Sequence, residues 1–194
     1  MKQSTHYIFG YGSLVDIKSL KVFLVRERVN SDDWQFCRLS SYRRIWNVAM
    51  DNQVDLPGYK YYIDTETQIR PDVSVTFLNV YLQSESSIDG LLFQVYPNEL
   101  KHVDRRERNY SRIDVSDKVN IAVDGKVWLY CGLPKSVERY EKAYKENKAV
   151  IAKNYSELVF DAFKTHGQDA ASYYMETTDN KNLLQKELKL IKII

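Results

Sequence analysis

Cysteine, proline, glycine and long apolar runs are all scarce in this 194-residue chain. Its two cysteines, Cys37 and Cys131, form neither a CxxC pair nor a His/Cys cluster with metal-ligand spacing, which argues against a zinc site. Each lies in an apolar, strand-like run and reads as a reduced, buried thiol. No window approaches the roughly 18 uninterrupted apolar residues that a membrane helix requires, so no membrane span is expected. Neither sign of charge is in excess: 28 basic residues against 26 acidic ones leave a net charge of +2, too weak a field to draw nucleic acid. Small-molecule chemistry fits this balance better. Met1-Lys2-Gln3-Ser4-Thr5 has no apolar leader core behind it, and a cytoplasmic location is the expectation. There is no internal repeat and no low-complexity linker. His6 and His102 lack nucleophile-base spacing and carry no assigned role.

What remains is enough for one real core, since 44% of the residues are hydrophobic and 28% charged. An apolar run at His6–Phe9 meets a glycine turn, and a helix is expected from about Ser13 to Phe23. One or two strands are expected between Trp34 and Met50. The stretch 51–72, with Pro57-Gly58, Tyr59, Tyr61, Tyr62 and Pro71, reads as a long connection able to overhang a site. Val73–Leu82 and Ile88–Tyr96, joined by polar residues 83–87, resemble a hairpin. Pro97 opens a short helix to about residue 109. Ile113 and Val115 alternate with polar residues, and Asp124-Gly125-Lys126 is expected to join Val119–Val123 and Val127–Cys131 as a second hairpin. Six or seven strands suffice for a small, closed or nearly closed barrel. After Pro134 the apolar residues recur at helical intervals, and the final Leu183, Leu184, Leu188, Leu190 and Ile191 are helix-compatible too. Basic residues interleave that last stretch; packing on this domain or on a second copy is preferred to a membrane face. The expected division is a barrel domain over 1–135 and a helical C-terminal extension over 136–194 packed on the same domain.

Two features carry chemistry. Gly10-Tyr11-Gly12-Ser13-Leu14 follows a strand, so its free backbone amides suit a small anion, although a tight packing turn needs the same residues. It lacks the Lys of a Walker A loop and the third glycine of a dinucleotide fingerprint, which removes nucleotide phosphate from consideration. It is not a nucleophile elbow either, because Val15 stands where the second glycine belongs. Farther on, Glu107 lies in Asp104-Arg105-Arg106-Glu107-Arg108, a pattern that suits a solvated helix face as well as a placed acid.

Taken in order, Phe9-Gly10-Tyr11-Gly12-Ser13-Leu14, Tyr42-Arg43-Arg44-Ile45-Trp46, Asp89-Gly90-Leu91-Leu92-Phe93, Asp104-Arg105-Arg106-Glu107 with Tyr110 and Arg112, Val127 to Gly132, Tyr155 to Leu158 and His166-Gly167 resemble the gamma-glutamylcyclotransferase-like superfamily. The resemblance covers most of residues 6–175. It implies an α+β fold, a small mixed β-barrel with peripheral helices, and an enzyme that cyclises a gamma-glutamyl amide to 5-oxoproline and a free amine. It also implies that Tyr11, Gly12, Ser13 and Leu14 cradle the substrate carboxylate and that Glu107 is the general acid/base. Tyr110 and Tyr130, which sit in matched motifs, are further substrate-lining candidates. No cofactor and no metal are implied, and the partner is a small gamma-glutamyl substrate; the oligomeric state stays open. Glutathione-directed relatives carry Lys-Gly-Gly after the catalytic acid, whereas Arg108-Asn109-Tyr110 stands here, so glutathione is not the expected substrate. A binding module without chemistry on the same fold is the alternative.

Overall fold

A computed structural model describes residues 5–24, 26, 28–55 and 59–193. Its strands are β1 (His6–Gly10), β2 (Trp34–Asp51), β3 (Lys60–Asp64), β4 (Ser74–Val95), β5 (Tyr110–Asp114), β6 (Lys126–Gly132), β7 (Ala149–Ala152), β8 (Thr178–Asp179), β9 (Gln185–Lys186) and β10 (Leu188–Lys192). The helices are α1 (Ile17–Leu24), α2 (Pro97–Arg106), α3 (Pro134–Lys145), α4 (Lys153–Lys164) and α5 (Gln168–Glu176). A long antiparallel ribbon of β2 and β4 forms the centre. β1 adds antiparallel to β4, β6 parallel to β1 and β5 antiparallel to β6, while β8 lies parallel to β2 and β7 parallel to β4. β9 extends β7, and β3 with β10 makes a separate antiparallel pair.

Eight strands therefore form one mixed sheet with open order, not a closed barrel. Where closure was expected, the described residues show an isolated antiparallel bridge between Leu39 and Val119 in place of a strand ladder from the chain beyond β5 to β2. The expected hairpin at 73–96 is a single strand: residues 83–86 bulge opposite Ser41, whose φ is 66°, and the chain continues in the same direction. Ladder bonds use backbone groups, so five polar side chains can ride the exposed part of a ribbon without turning it. The second expected hairpin is absent too. Gly125, at φ 156°, lets the backbone pass against the Thr5 carbonyl, and β6 joins β5 and β1 instead.

The expected helix from Ser13 starts later, because residues 13–15 make a single 3-10 turn before α1. Helices do dominate after Pro134, yet Ala149–Ala152 is a buried strand and Leu188, Leu190 and Ile191 enter β10. Leu188-Lys-Leu190 fits a period of two as well as a helix, and pairing with β3 decides it. The 51–72 connection thus holds a strand of its own; its Pro57-Gly58 lies outside the described residues.

The main core runs from Ile8 and Phe9 through Trp46, Phe93 and Leu129 to Val159, Phe163 and Tyr174, so α4 and α5 share one apolar cluster with the sheet. A smaller cluster of Met50, Tyr62, Val75, Phe77, Val150 and Leu188 lies under β3 and β10. Tyr62 is buried there and Tyr59 packs against it, while Tyr61 carries the Arg70 guanidinium 4.2 Å from its ring centroid. This tyrosine group packs a satellite core and does not form a free lid.

Candidate active site

Strand β1 ends in a turn that only glycine lets close: a Cβ on Gly10 would stand 2.8 Å from the Leu14 Cβ. Two carbonyls of the turn are bound internally, Gly12 O by the Val15 amide at 3.0 Å and Ser13 O by the Asp16 amide at 3.2 Å. The amides of Gly12, Ser13 and Leu14 precede the first internal bond, as the leading N–H groups of any helical turn do. Tyr11 points inward. Its hydroxyl donates to the Tyr130 carbonyl at 2.6 Å, and its own carbonyl accepts from Arg44 Nε at 3.1 Å.

Arg44 is fully buried, yet every part of its guanidinium is answered. Besides Tyr11 it donates to Thr177 Oγ1 at 2.8 Å and to the Asp89 carbonyl, and it lies over the rings of Phe163 and Tyr174. Burial lowers its pKa to about 10, so it stays charged at neutral pH. The turn is thereby pinned from below by a strand residue.

Glu107 arrives from the other side. Pro97 starts α2 and the Glu99 carboxylate reaches back to the Tyr96 amide at 2.7 Å, while the helix stops at Arg106. Glu107 caps it with φ −83° and ψ 52°, its amide still bonded to the Val103 carbonyl at 2.9 Å. At this departure from helical geometry Glu107 is half-buried, whereas Asp104, Arg105 and Arg106 before it are exposed. Although the residue keeps some contact with solvent, enclosure of the carboxyl raises its pKa, a rise that Arg106 and Lys60 partly oppose. Its carboxylate makes no hydrogen bond among the described residues.

Phenols surround this carboxyl. Tyr11, Tyr110, Tyr130 and Tyr155 all have raised pKa values, chiefly from burial, and the charge of Glu107 adds to each. Tyr110 donates to the Leu78 carbonyl at 2.8 Å and Tyr130 to Asp104 at 2.6 Å. Asp104 in turn pairs with Arg112 at 3.4 Å, and Arg112 covers Trp128. Tyr155, from α4, meets both the backbone and the side chain of Ser13, and its pKa rises to about 12. A Cβ placed on Gly12 would lie 3.6 Å from that hydroxyl.

Of the residues singled out in the sequence, Tyr11, Gly12, Ser13, Tyr110 and Glu107 therefore gather around one centre. Tyr130 contributes its carbonyl, but its hydroxyl is occupied by Asp104. Leu14 supplies backbone, its side chain packing on the core. Tyr155, Arg44 and Lys60 were missed as site residues. Strand alternation held a signal for Arg44, because Tyr42, Arg44, Trp46 and Val48 all face inward. Two surface clefts of about 540 and 500 Å³ lie elsewhere, one beside Tyr61 and Arg70, the other between Arg38 and Tyr173. Among the described residues no three His, Cys, Asp or Glu side chains cluster as a metal site. Burial pushes both thiols up to about 12, so neither is a nucleophile at neutral pH.

No protein-family model and no curated protein matches the sequence. Solved structures do match its fold. A structure described as a gamma-glutamyl cyclotransferase superposes with a TM-score of 0.50 at 10% identity, over 91% of this chain and 90% of its own. An uncharacterized Homo sapiens protein gives 0.53 at 11% identity, over 92% and 91%. YkqA from Bacillus subtilis gives 0.54 at 12% identity over 94% of this chain, which spans 56% of that protein. With a large mixed sheet and five α-helices among the described residues, the chain carries the gamma-glutamyl cyclotransferase-like fold.

Proposed function

We propose that the protein cleaves a gamma-glutamyl amide by intramolecular cyclisation, with Glu107 moving the proton. Such a substrate carries its own nucleophile. Its α-ammonium loses a proton to the Glu107 carboxylate, the freed amine attacks the γ-carbonyl carbon, and a five-membered lactam closes as the bond to the departing nitrogen breaks. The attacking nitrogen gives up a second proton as the ring closes, and this proton and the one held by Glu107 both reach the departing nitrogen, so 5-oxoproline and an ammonium leave and Glu107 is a carboxylate again. The amides of Gly12, Ser13 and Leu14 hold the α-carboxylate in this reading, and Tyr11, Tyr110 and Tyr155 shape the space around the folded-back glutamyl group.

The observation that carries the proposal is Glu107 itself: an enclosed carboxyl with no hydrogen bond from any described residue, sharing its surroundings with the tyrosine that meets Ser13. Buried carboxylates that serve structure are paired. A raised pKa also makes this one a stronger base than an exposed glutamate. Release of 5-oxoproline from a panel of gamma-glutamyl amides tests the idea. Glu107→Gln is expected to lower turnover by about 10²- to 10⁴-fold while the variant still unfolds cooperatively and no earlier than wild type; wild-type turnover in that variant overturns the mechanism. Tight binding by the wild-type protein with no product from any amide identifies a binding module.

A further inference from the structure

β3 and β10 form a two-stranded antiparallel sheet whose two edges are treated differently. Just beyond the ends of the ladder, the Thr65 amide donates to the Glu187 carbonyl at 3.0 Å and the Ile193 amide to the Tyr59 carbonyl at 2.9 Å. Antiparallel pairs alternate between bonded and unbonded. Lys189 and Ile191 therefore exchange bonds with β3, whereas Leu188, Leu190 and Lys192 turn their N–H and C=O groups away from it. Tyr62, opposite Leu190, likewise turns its backbone away from β10. There the buried Asn52 side chain takes up both groups, accepting from the amide at 2.7 Å and donating to the carbonyl at 2.9 Å. The outer edge of β3 is plugged at that point. β10 has no such plug, since among the described residues no strand pairs with its outer edge and no side chain bonds the Leu190 or Lys192 backbone.

The side chains of this ribbon are apolar on both faces. Opposing residues share a face, and Tyr62 and Leu188 enter the satellite core, while Leu190 beside them is 37% exposed. The other face carries Tyr61, Ile63, Ile191 and Ile193, all half-buried, and a cleft of about 540 Å³ lined by Tyr61, Ile63, Arg70 and Ile193 opens there. A ribbon two strands wide gains most from a third strand, which would cover Leu190 and extend both apolar faces.

Charge decides what kind of strand fits. Lys189 and Lys192 bracket Leu190 and Ile191; both lysines are exposed, and neither has an ion pair within 4 Å among the described residues. Lysines on an edge strand deter pairing with neutral or basic strands and attract an acidic one. β10 holds no acid of its own. A second copy paired antiparallel over the whole of β10 would set Lys189 against Ile191 and Lys192 against Leu188, leaving every lysine unanswered.

We propose that the outer edge of β10 is a docking site for an extended segment of another protein whose residues read acidic, apolar, apolar, acidic. Main-chain bonds to Leu190 and Lys192 give such a strand its hold, and the alternate side chains give it specificity. Its acids face Lys189 and Lys192. One apolar residue continues the row Tyr62–Leu190, and the other continues the row Tyr61–Ile191 on the face where the cleft opens. Nothing in this assignment depends on the chemistry around Glu107.

The test measures fluorescence anisotropy of two labelled peptides with the intact protein at low salt, Gly-Ser-Glu-Val-Ile-Glu-Ser-Gly and the same peptide with Lys in place of both Glu. Wild type is expected to bind the acidic peptide about tenfold or more tightly than the basic one, with the preference shrinking as salt is added. The double variant Lys189→Glu, Lys192→Glu, which changes exposed side chains only, is expected to reverse the preference. Leu190→Pro removes an outward N–H that β3 does not use, and is expected to weaken the acidic peptide about tenfold while the melting curve stays cooperative. Equal binding of the two peptides, or a preference that survives charge reversal, overturns the proposal. So does the absence of saturable binding up to about 1 mM, where affinity has fallen to about 4 kcal/mol. A wild-type protein that sediments as a dimer and becomes a monomer on Leu190→Pro gives the edge to a second copy and overturns it too.

Discussion

Arg44 and Glu107 bring opposite charges into the same interior, and the protein treats them oppositely. Arg44 is bonded at Nε, Nη1 and Nη2 and lies against two aromatic rings. Glu107 lies in the field of several phenols and two cations, but no described residue hydrogen-bonds its carboxylate. A charge with every bond made is committed to holding the fold. One that is enclosed but unanswered raises the energy of the folded state and is useful only when something else binds.

The sharpest way to break this contrast is at Arg44. Arg44→Met leaves the Tyr11 carbonyl, the Asp89 carbonyl and Thr177 Oγ1 buried without their donor, and about 3–5 kcal/mol of stability is expected to be lost in urea unfolding. A loss below about 1 kcal/mol would mean that the cage is not structural. Asn52→Ala is expected to cost less, about 2 kcal/mol by the same measurement, because it strands the buried Tyr62 amide and carbonyl.

The smallest effect has the opposite sign. Because the folded-state pKa of Glu107 is raised, the folded protein binds more protons than the unfolded chain as this group titrates, and its penalty grows as pH rises through that range. Glu107→Gln removes the penalty. The variant is expected to melt slightly above wild type at pH 7, with the gap closing as pH falls toward the unfolded-state value of about 4.3. Lower stability of the variant at pH 7 would show that the carboxylate is held after all.

The sequence made the two poles of the site readable but not the ground between them. The turn after β1 and the acid after α2 lie in short motifs whose local chemistry survives any packing, and β1, α2 and β5 follow from nearby residues. The continuity of β4 did not follow. Gln83–Ser87 looks like a turn because its side chains are polar, whereas the bulge opposite Ser41 is a property of the pairing with β2. The inward alternation of Tyr42, Arg44 and Trp46 was present but obscured by the flanking charges of Arg38 and Arg43, which pair with Asp89 and Asp179. Lys60 had no local signal at all, since its neighbours Phe77 and Glu107 come from other elements and its strand partner lies beyond residue 187.

That pairing of β3 with β10 also sets an order of events during synthesis. Turn, acid and most of their phenols are made by elements up to β6, with Tyr155 following in α4, so a growing chain has the means to assemble them once α4 has left the ribosome. The wall bearing Lys60 has no strand partner until residues 188–192 emerge. A truncated nascent chain would therefore hold the acid without its neighbouring cation. The β3–β10 pair, on this view, is the last part of the fold to close as the protein is made.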